Sequence, residues 1–439
     1  MIGNRLAVRQ ELARKLPADY NRNFLMGKHV EHPAPPVESS VTVRKPRRRA
    51  PAGIAAALAW VLLSGCGDAY RPVANPIPKP GGDPQVTRVA VVLSNNNGSP
   101  GMSTSIDVSG DTNIGNFVVG RSPVHAAFLP FSSQVLVANK NDDSLSVFAP
   151  LSLGSTVTFV TLPAGSAPVY LAGTGFGFMY VANSGTNSVG IVSTASFALQ
   201  SSIPVGSTPV ALVQTPNASL LYSVNKGDGT VSAISTQSNS VVATVPVGSS
   251  PVAAAMNSDG KTLYVANQGS GTVSAINTAS NSVVATVASG ASPNFLIFDS
   301  SRRRLYVANT GSNTISVFDA DIGLALIKTV TVGAGPASIA ALRDGTRVYV
   351  ANAGCTDAVN LTGCSGTTVS VIDAVSLAVR KTITVGSTPV SLAADAGSTK
   401  VVVANRDSNT ISSIRTSDDT VINTNASGSP QPTFVVISQ

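Results

Sequence analysis

The stretch LYVANQGSGTVSAI, Leu263 to Ile276, recurs along the chain. Close relatives start at Met179 (MYVANSGTNSVGIV), Leu221 (LYSVNKGDGTVSAI) and Leu305 (LYVANTGSNTISVF). Another starts at Val348 (VYVANAGC) and resumes after an insertion as TTVSVI. Tyr180, Tyr222, Tyr264, Tyr306 and Tyr349 are therefore spaced by 42, 42, 42 and 43 residues. Two further copies lack the tyrosine, VLVANKNDDSLSVF from Val135 and VVANRDSNTISSI from Val402. A fixed period of this length marks a repeat architecture, in which one supersecondary unit stacks on the next.

Each unit reads as four short strands. The first follows a G-x-x-P turn, as in PVALV from Pro209. The second is LYVAN, the third TVSAI, and the fourth is like VVATVPV from Val241. Each run is apolar or alternating and closes on Gly, Asn, Asp or Ser, which is strand-and-turn chemistry. The turn occurs at Gly120/Pro123, Gly165/Pro168, Gly206/Pro209, Gly248/Pro251, Gly290/Pro293, Gly333/Pro336 and Gly386/Pro389, with a looser version at Gly428 to Pro432. Four-stranded units of ~42 residues predict an all-β chain folded as a single β-propeller, whose radial closure protects sheet edges. The repeats begin at Arg88 with an equivalent of the LYVAN strand (RVAVVLSNN) and finish with a strand of the first kind, PTFVVIS from Pro432. The two ends are out of phase by one strand. The C-terminal strand is thus expected innermost in the blade of residues 88–120, latching the ring. The count gives eight blades, with seven as the alternative if the divergent first unit is only a hairpin.

The net charge of +7 invites a nucleic-acid reading, but it is localised. Residues 1–65 carry 11 Lys/Arg against 4 Asp/Glu, and the rest of the chain carries 18 of each. The repeat region therefore gives no electrostatic reason to expect nucleic acid. RKPRRR at residues 44–49 precedes an apolar run from Ala50 to Leu63, then Leu63-Ser64-Gly65-Cys66. This is the three-part layout of a secretory signal peptide, spanning 44–65. The LSGC end resembles the bacterial lipoprotein box, which implies cleavage before Cys66 and lipidation of its thiol. Several acyl chains then give lasting membrane attachment. Residues 1–43 look like no part of a leader, and translation is expected to start near Val41 or Val43. Residues 66–87 hold Pro72, Pro76, Pro78, Pro80 and Pro84 and read as an extended tether ahead of the propeller at 88–439.

Tyr-Val-Ala-Asn followed by Thr-Val-Ser-Ala-Ile and Gly-x-x-Pro resembles the YVTN-type β-propeller repeat family of bacterial and archaeal surface proteins. The likeness covers residues 88–439 and speaks to scaffold rather than activity. The family is related in fold to lactonases of the 6-phosphogluconolactonase type, so a lactonase-like hydrolase using the central channel is the competing expectation. The residues argue against it. No Glu follows Glu38, His125 is the sole histidine beyond the leader, and neither G-x-S-x-G nor HExxH occurs. His125, in SPVHAAFL, reads as a structural histidine on an inner strand. No catalytic set, metal site or cofactor is expected.

The recurring Asn139, Asn183, Asn225, Asn267, Asn309, Asn352 and Asn405 could form a ligand-binding ring. They read more simply as strand-end residues that bond the turn backbone and tolerate unusual dihedrals. The repeated tyrosines read as packing between blades. Asp142, Asp143 and Asp228 read as ordinary turn residues, and Arg302-Arg303-Arg304 as a solvated connection that could meet a small anion. With Cys66 lipidated in an exported protein, Cys355 and Cys364 form an even pair and are expected to be disulfide-bonded. Their insertion is the candidate partner-binding loop, through Thr356, Asp357, Asn360 and Thr362, because functional contacts concentrate in such loops. The chain is thus expected to be an exported lipoprotein at the cell surface or the periplasmic face of an outer membrane. There it would act as a non-catalytic interaction, adhesion or scaffold module for an envelope or extracellular protein or glycan.

Overall fold

The computed structural model describes residues 88–438 apart from 131, 153, 174–176, 322 and 356–362. The expected extension, signal peptide, Cys66 and tether lie outside the described residues. Eight antiparallel four-stranded sheets follow one another along the chain. In blade 5 the strands run Pro251–Met256, Thr262–Asn267, Thr272–Asn277 and Ser282–Ala288, from the innermost outward. The other blades repeat this order. The exception is blade 1, where Val89–Ser94, Pro100–Asp107 and Thr112–Arg121 are completed on the inside by Pro432–Ile437. Pairing of Val91 with Val436 and Leu93 with Phe434 seats that last strand. It packs between the inner strands of blades 8 and 2, which closes the ring. Eight blades, not seven, are present.

Burial follows from the radial stack. Second and third strands are covered by a neighbouring blade on each face, so LYVAN and TVSAI are nearly continuous apolar runs and almost every residue is buried. Tyr264, Ala266 and Val273 of blade 5 share one core cluster with Leu305, Val307 and Phe318 of blade 6. The tyrosine hydroxyls reach further. Tyr222 donates to Asn281 Oδ1 in the next blade at 2.7 Å, and Tyr264 to the Ala320 carbonyl at 3.3 Å. The tyrosines therefore hold blades together, as their repetition suggests.

The G-x-x-P turn has an unexpected logic. Its left-handed residue is the one just before proline (Thr208 φ 54°, Ser250 φ 47°, Thr388 φ 55°), and only at Gly165 (φ 77°) is the turn glycine left-handed as well. The other glycines serve close approach instead. A Cβ on Gly120, Gly206, Gly248, Gly290, Gly333 or Gly386 would lie 2.5–2.8 Å from the side chain of the repeat asparagine that follows it in sequence. The proline opens the inner strand, where its missing N–H is tolerated, and the register shifts at once: Pro251 pairs with Asn267 but Ala253 with Ala266.

Where the two chain ends meet, blades 8 and 1 are tied by polar bonds. Arg88 reaches the buried Asp395 at 2.5 Å, Lys400 reaches Asp111 at 2.5 Å, and the Asn423 and Asn425 amides donate to the Asp111 carbonyl. Burial works against the charge on Asp395. The amides of Lys400 and Thr399, the Thr399 hydroxyl and Arg88 outweigh it and hold the carboxyl below its usual range.

Candidate functional site

The inner strands carry the channel-side chemistry. Two residues after the turn proline, three consecutive blades present Phe434, His125 and Tyr170. The His125 ring lies between the other two, with centroids 3.9 Å from Tyr170 and 4.7 Å from Phe434. Beside it opens a cavity of about 560 Å³ lined by His125, Phe128, Leu129, Phe434, Val436 and Ser438, among others. The polar side chains in its wall are His125, Ser132 and Ser438. It is mostly apolar, as small-molecule sites are.

The imidazole is committed elsewhere. His125 Nδ1 accepts the Leu171 amide of the next blade at 3.3 Å. Ser338 and Ser391, at the same repeat position, accept the amides of Leu392 and Val435 at 3.3 and 3.2 Å. His125 is one instance of a bridge between inner strands that serine makes elsewhere. With Nδ1 accepting, the proton of the neutral ring sits on Nε2, so no lone pair is left to abstract a proton.

Burial lowers the His125 pKa to about 3. A folded value below the unfolded one of about 6.5 means that stability is complete above that pH and declines as pH falls toward 3. The decline has a ceiling of about 1.4 kcal/mol per pH unit. We expect wild type to lose melting temperature between pH 6.5 and 4 more steeply than His125→Asn, which keeps an acceptor for Leu171. Parallel curves would refute the burial of a neutral imidazole.

The seven repeat asparagines are all buried. Their amides bond across the hairpin rather than to turn backbone. Asn267 Nδ2 donates to Thr272 Oγ1 at 3.1 Å and Ser274 Oγ at 2.9 Å, and the pattern recurs from Asn225, Asn309, Asn352 and Asn405. Asn139 uses Ser144 and Ser146, and Asn183 only Ser188, because Gly190 replaces the second hydroxyl. None of the seven has positive φ, so the expectation of unusual dihedrals fails: those belong to neighbours such as Asn281 and Asn313. Their side-chain amides serve the hairpin between the second and third strands of their own blades.

Other candidates resolve in the same way. Arg302 donates to the Gly345 carbonyl, Arg303 pairs with Asp321, and Arg304 donates to the Ala374 carbonyl of the next blade. Asp142 pairs with Arg121, Asp143 accepts the Gly165 and Ala167 amides, and Asp228 accepts the Ser207 amide. Cys355 and Cys364 form a disulfide packed against Ala337 and Val390, between blades 7 and 8. Thr356, Asp357, Asn360 and Thr362 lie outside the described residues. Among the described residues, no three His, Cys, Asp or Glu side chains gather where they could hold a metal ion.

A family model described as "Lactonase, 7-bladed beta-propeller" matches residues 180–288 and 278–437. The chain belongs to this lactonase propeller family. The matched part of this lactonase-family chain runs from the second strand of blade 3 into the closing strand, and the ring as a whole has eight blades. No curated protein matches it. Solved structures that resemble it include dihydro-heme d1 dehydrogenase NirN in complex with DHE, at 14% identity over 84% of this chain and 78% of that one, TM-score 0.66. AztD from Citrobacter koseri is similar at 12% identity over 80% and 97%, TM-score 0.59. Kuenenia stuttgartiensis hydrazine synthase is similar at 18% over 67% and 95%, TM-score 0.54. At such identities the likeness is one of fold.

Two features escaped the sequence reading. Asp419, buried in the outer turn of blade 8, meets Arg347, Arg380 and the Tyr349 hydroxyl of blade 7. Phe178 is a large aromatic side chain left 44% exposed beside a cleft between blades 3 and 4. Its signal was available: it stands where later repeats carry Leu220, Thr262, Arg304, Arg347 and Lys400.

Proposed function

We propose that the protein is a non-catalytic binding propeller, exported and anchored to the cell envelope through lipid on Cys66. The observation that supports it best is the bond from the Leu171 amide to His125, which leaves the single channel histidine no free base site. A hydrolase needs an acid, a base and oxyanion donors converging on one pocket. Among the described residues the large cavity offers a committed imidazole and two serine hydroxyls, without a carboxylate in its wall. The Cys66 context, LSGC behind a basic and then apolar leader, supports the anchor.

Membership of the lactonase family favours a second reading, a lactone hydrolase working in the channel. One experiment with two arms separates them. Purified protein is expected to leave 6-phosphogluconolactone hydrolysing at its spontaneous rate, unchanged by His125→Asn. Catalysis that is lost in the variant would establish the second reading. In cells fed labelled palmitate, wild type is expected in the membrane fraction carrying label, and Cys66→Ser unlabelled and released. Unlabelled wild-type protein would remove the anchor from the proposal.

A further inference from the structure

We propose that the cleft between blades 3 and 4 binds a neutral saccharide. The proposal rests on the binding-module reading and gives it a ligand class. The cleft, of about 330 Å³, is lined by Phe178, Tyr180, Gln214, Asn217, Ser219 and Thr236. That volume falls at the small end of the roughly 300–1,000 Å³ range of ligand sites.

The cleft is open because a polar closure found at three other seams is missing here. At those three seams, the side chain five residues before the repeat asparagine reaches the next blade through a polar bond. Arg304 donates to the Ala374 carbonyl, Arg347 pairs with Asp419, and Lys400 pairs with Asp111. Blade 3 has Phe178 at this position, and its ring stays exposed. The tyrosine contact is missing too. Tyr222, Tyr264 and Tyr349 each bond to the outer turn of the following blade. Tyr180 has no such bond among the described residues, although Asn239 stands in blade 4 where Asn281 receives Tyr222.

What remains is a flat aromatic face beside uncharged hydrogen-bonding groups with spare capacity. Gln214 Oε1 is buried without a partner. Asn217 uses its Oδ1 on the Ser219 amide and hydroxyl, which leaves its amide donors, while Thr236 donates to the Ala218 carbonyl and keeps its lone pairs. A buried acceptor without a partner is costly and calls for a donor. Among the described residues no charged side chain lines the cleft, so none of them favours a phosphate, a carboxylate or a cation. A pyranose supplies both matching elements: a C–H face to lie on Phe178, and hydroxyls that donate to Gln214 and accept from Asn217 or Tyr180.

The test is isothermal titration of the purified protein with the hexasaccharides of glucose, N-acetylglucosamine and mannose. At least one is expected to bind, and Phe178→Ala to weaken that binding tenfold or more. Phe178→Arg, which installs the closing residue of blade 6, is expected to abolish binding while the melting temperature holds or rises. Gln214→Leu, a near-isosteric change, gives an independent check and is expected to cost about tenfold. No binding to any of the three, or binding that survives Phe178→Arg, overturns the proposal. Neither result bears on lactone hydrolysis, so the saccharide site and the non-catalytic reading can fail separately.

Discussion

A chain ending at residue 430 is expected to lose its cooperative unfolding transition and to aggregate on purification. Strand Pro432–Ile437 is only six residues long, but it is the inner wall of blade 1 and the contact between blades 8 and 2. Val435 and Ile437 are buried, each worth about 1.5–3 kcal/mol. Phe434 and Val436 add part of the same, and the unpaired edge of Val89–Ser94 would be exposed as a template for association. Against a usual total of about 5–15 kcal/mol, such a loss is decisive. The strand should act by position, not by connection. Ser438 already lies against Val89, its amide bonding the Val89 carbonyl at 2.9 Å and its hydroxyl receiving the Val89 amide at 2.8 Å. Restoring residues 430–438 ahead of Arg88 through a short turn should recover the transition. A truncated chain that melts cooperatively at the wild-type temperature would show that the ring does not depend on its latch.

Asp419→Ala is expected to destabilise by about 3–5 kcal/mol, the cost of removing one partner from a buried ion pair. The carboxylate is 1% exposed and receives Arg347 at 3.2 Å, Arg380 at 3.2 Å and the Tyr349 hydroxyl. The Arg347 side chain is 16% exposed and would be left without its anion. Tyr349 is buried, and burial, reinforced by the neighbouring carboxylate, holds its hydroxyl protonated well above the ordinary range. Controls grade the cluster. Tyr349→Phe should cost about 0.5–1.5 kcal/mol, a single hydrogen bond. Arg380→Ala should cost at most about 1 kcal/mol, because that side chain is 44% exposed. Equal losses in denaturant titrations of all three variants would mean that the cluster acts as packing and not through buried charge.

The propeller was legible because each repeat states the same pattern, and because Arg88 and Pro432 mark ends one strand out of phase. That offset alone predicts a composite first blade, and Pro432–Ile437 occupies the expected place. The role of the asparagines was only half legible. Their repetition signals structure, but bonding to Thr272 and Ser274 across the hairpin depends on a register that spacing does not disclose. Asp419 was invisible for a different reason. Asp418-Asp419 looks like any turn, and its partners Arg347, Tyr349 and Arg380 are 72, 70 and 39 residues back, joined to it only by the angle between neighbouring blades. His125 becomes interpretable once it is aligned with Ser338 and Ser391, which do the same work without an ionisable group. Phe178 was readable as an aromatic in a column of aliphatic, hydroxyl and basic residues, yet the cleft it leaves is a property of two blades, not of one repeat.

The contact of six G-x-x-P glycines with the asparagine of the sequence repeat that each turn opens has a consequence for how such rings change over time. Because that buried amide is accommodated within a unit and not between units, duplicating or excising one whole unit leaves every such contact intact. Nearly identical segments such as SNSVVATV at Ser238 and Ser280 give recombination places to align. Blade 1 alone is excluded from this exchange, since it draws on both ends of the chain. Ring size can therefore shift by integers while the latch stays fixed, which gives a direct route to an eight-membered ring within a family described as seven-bladed.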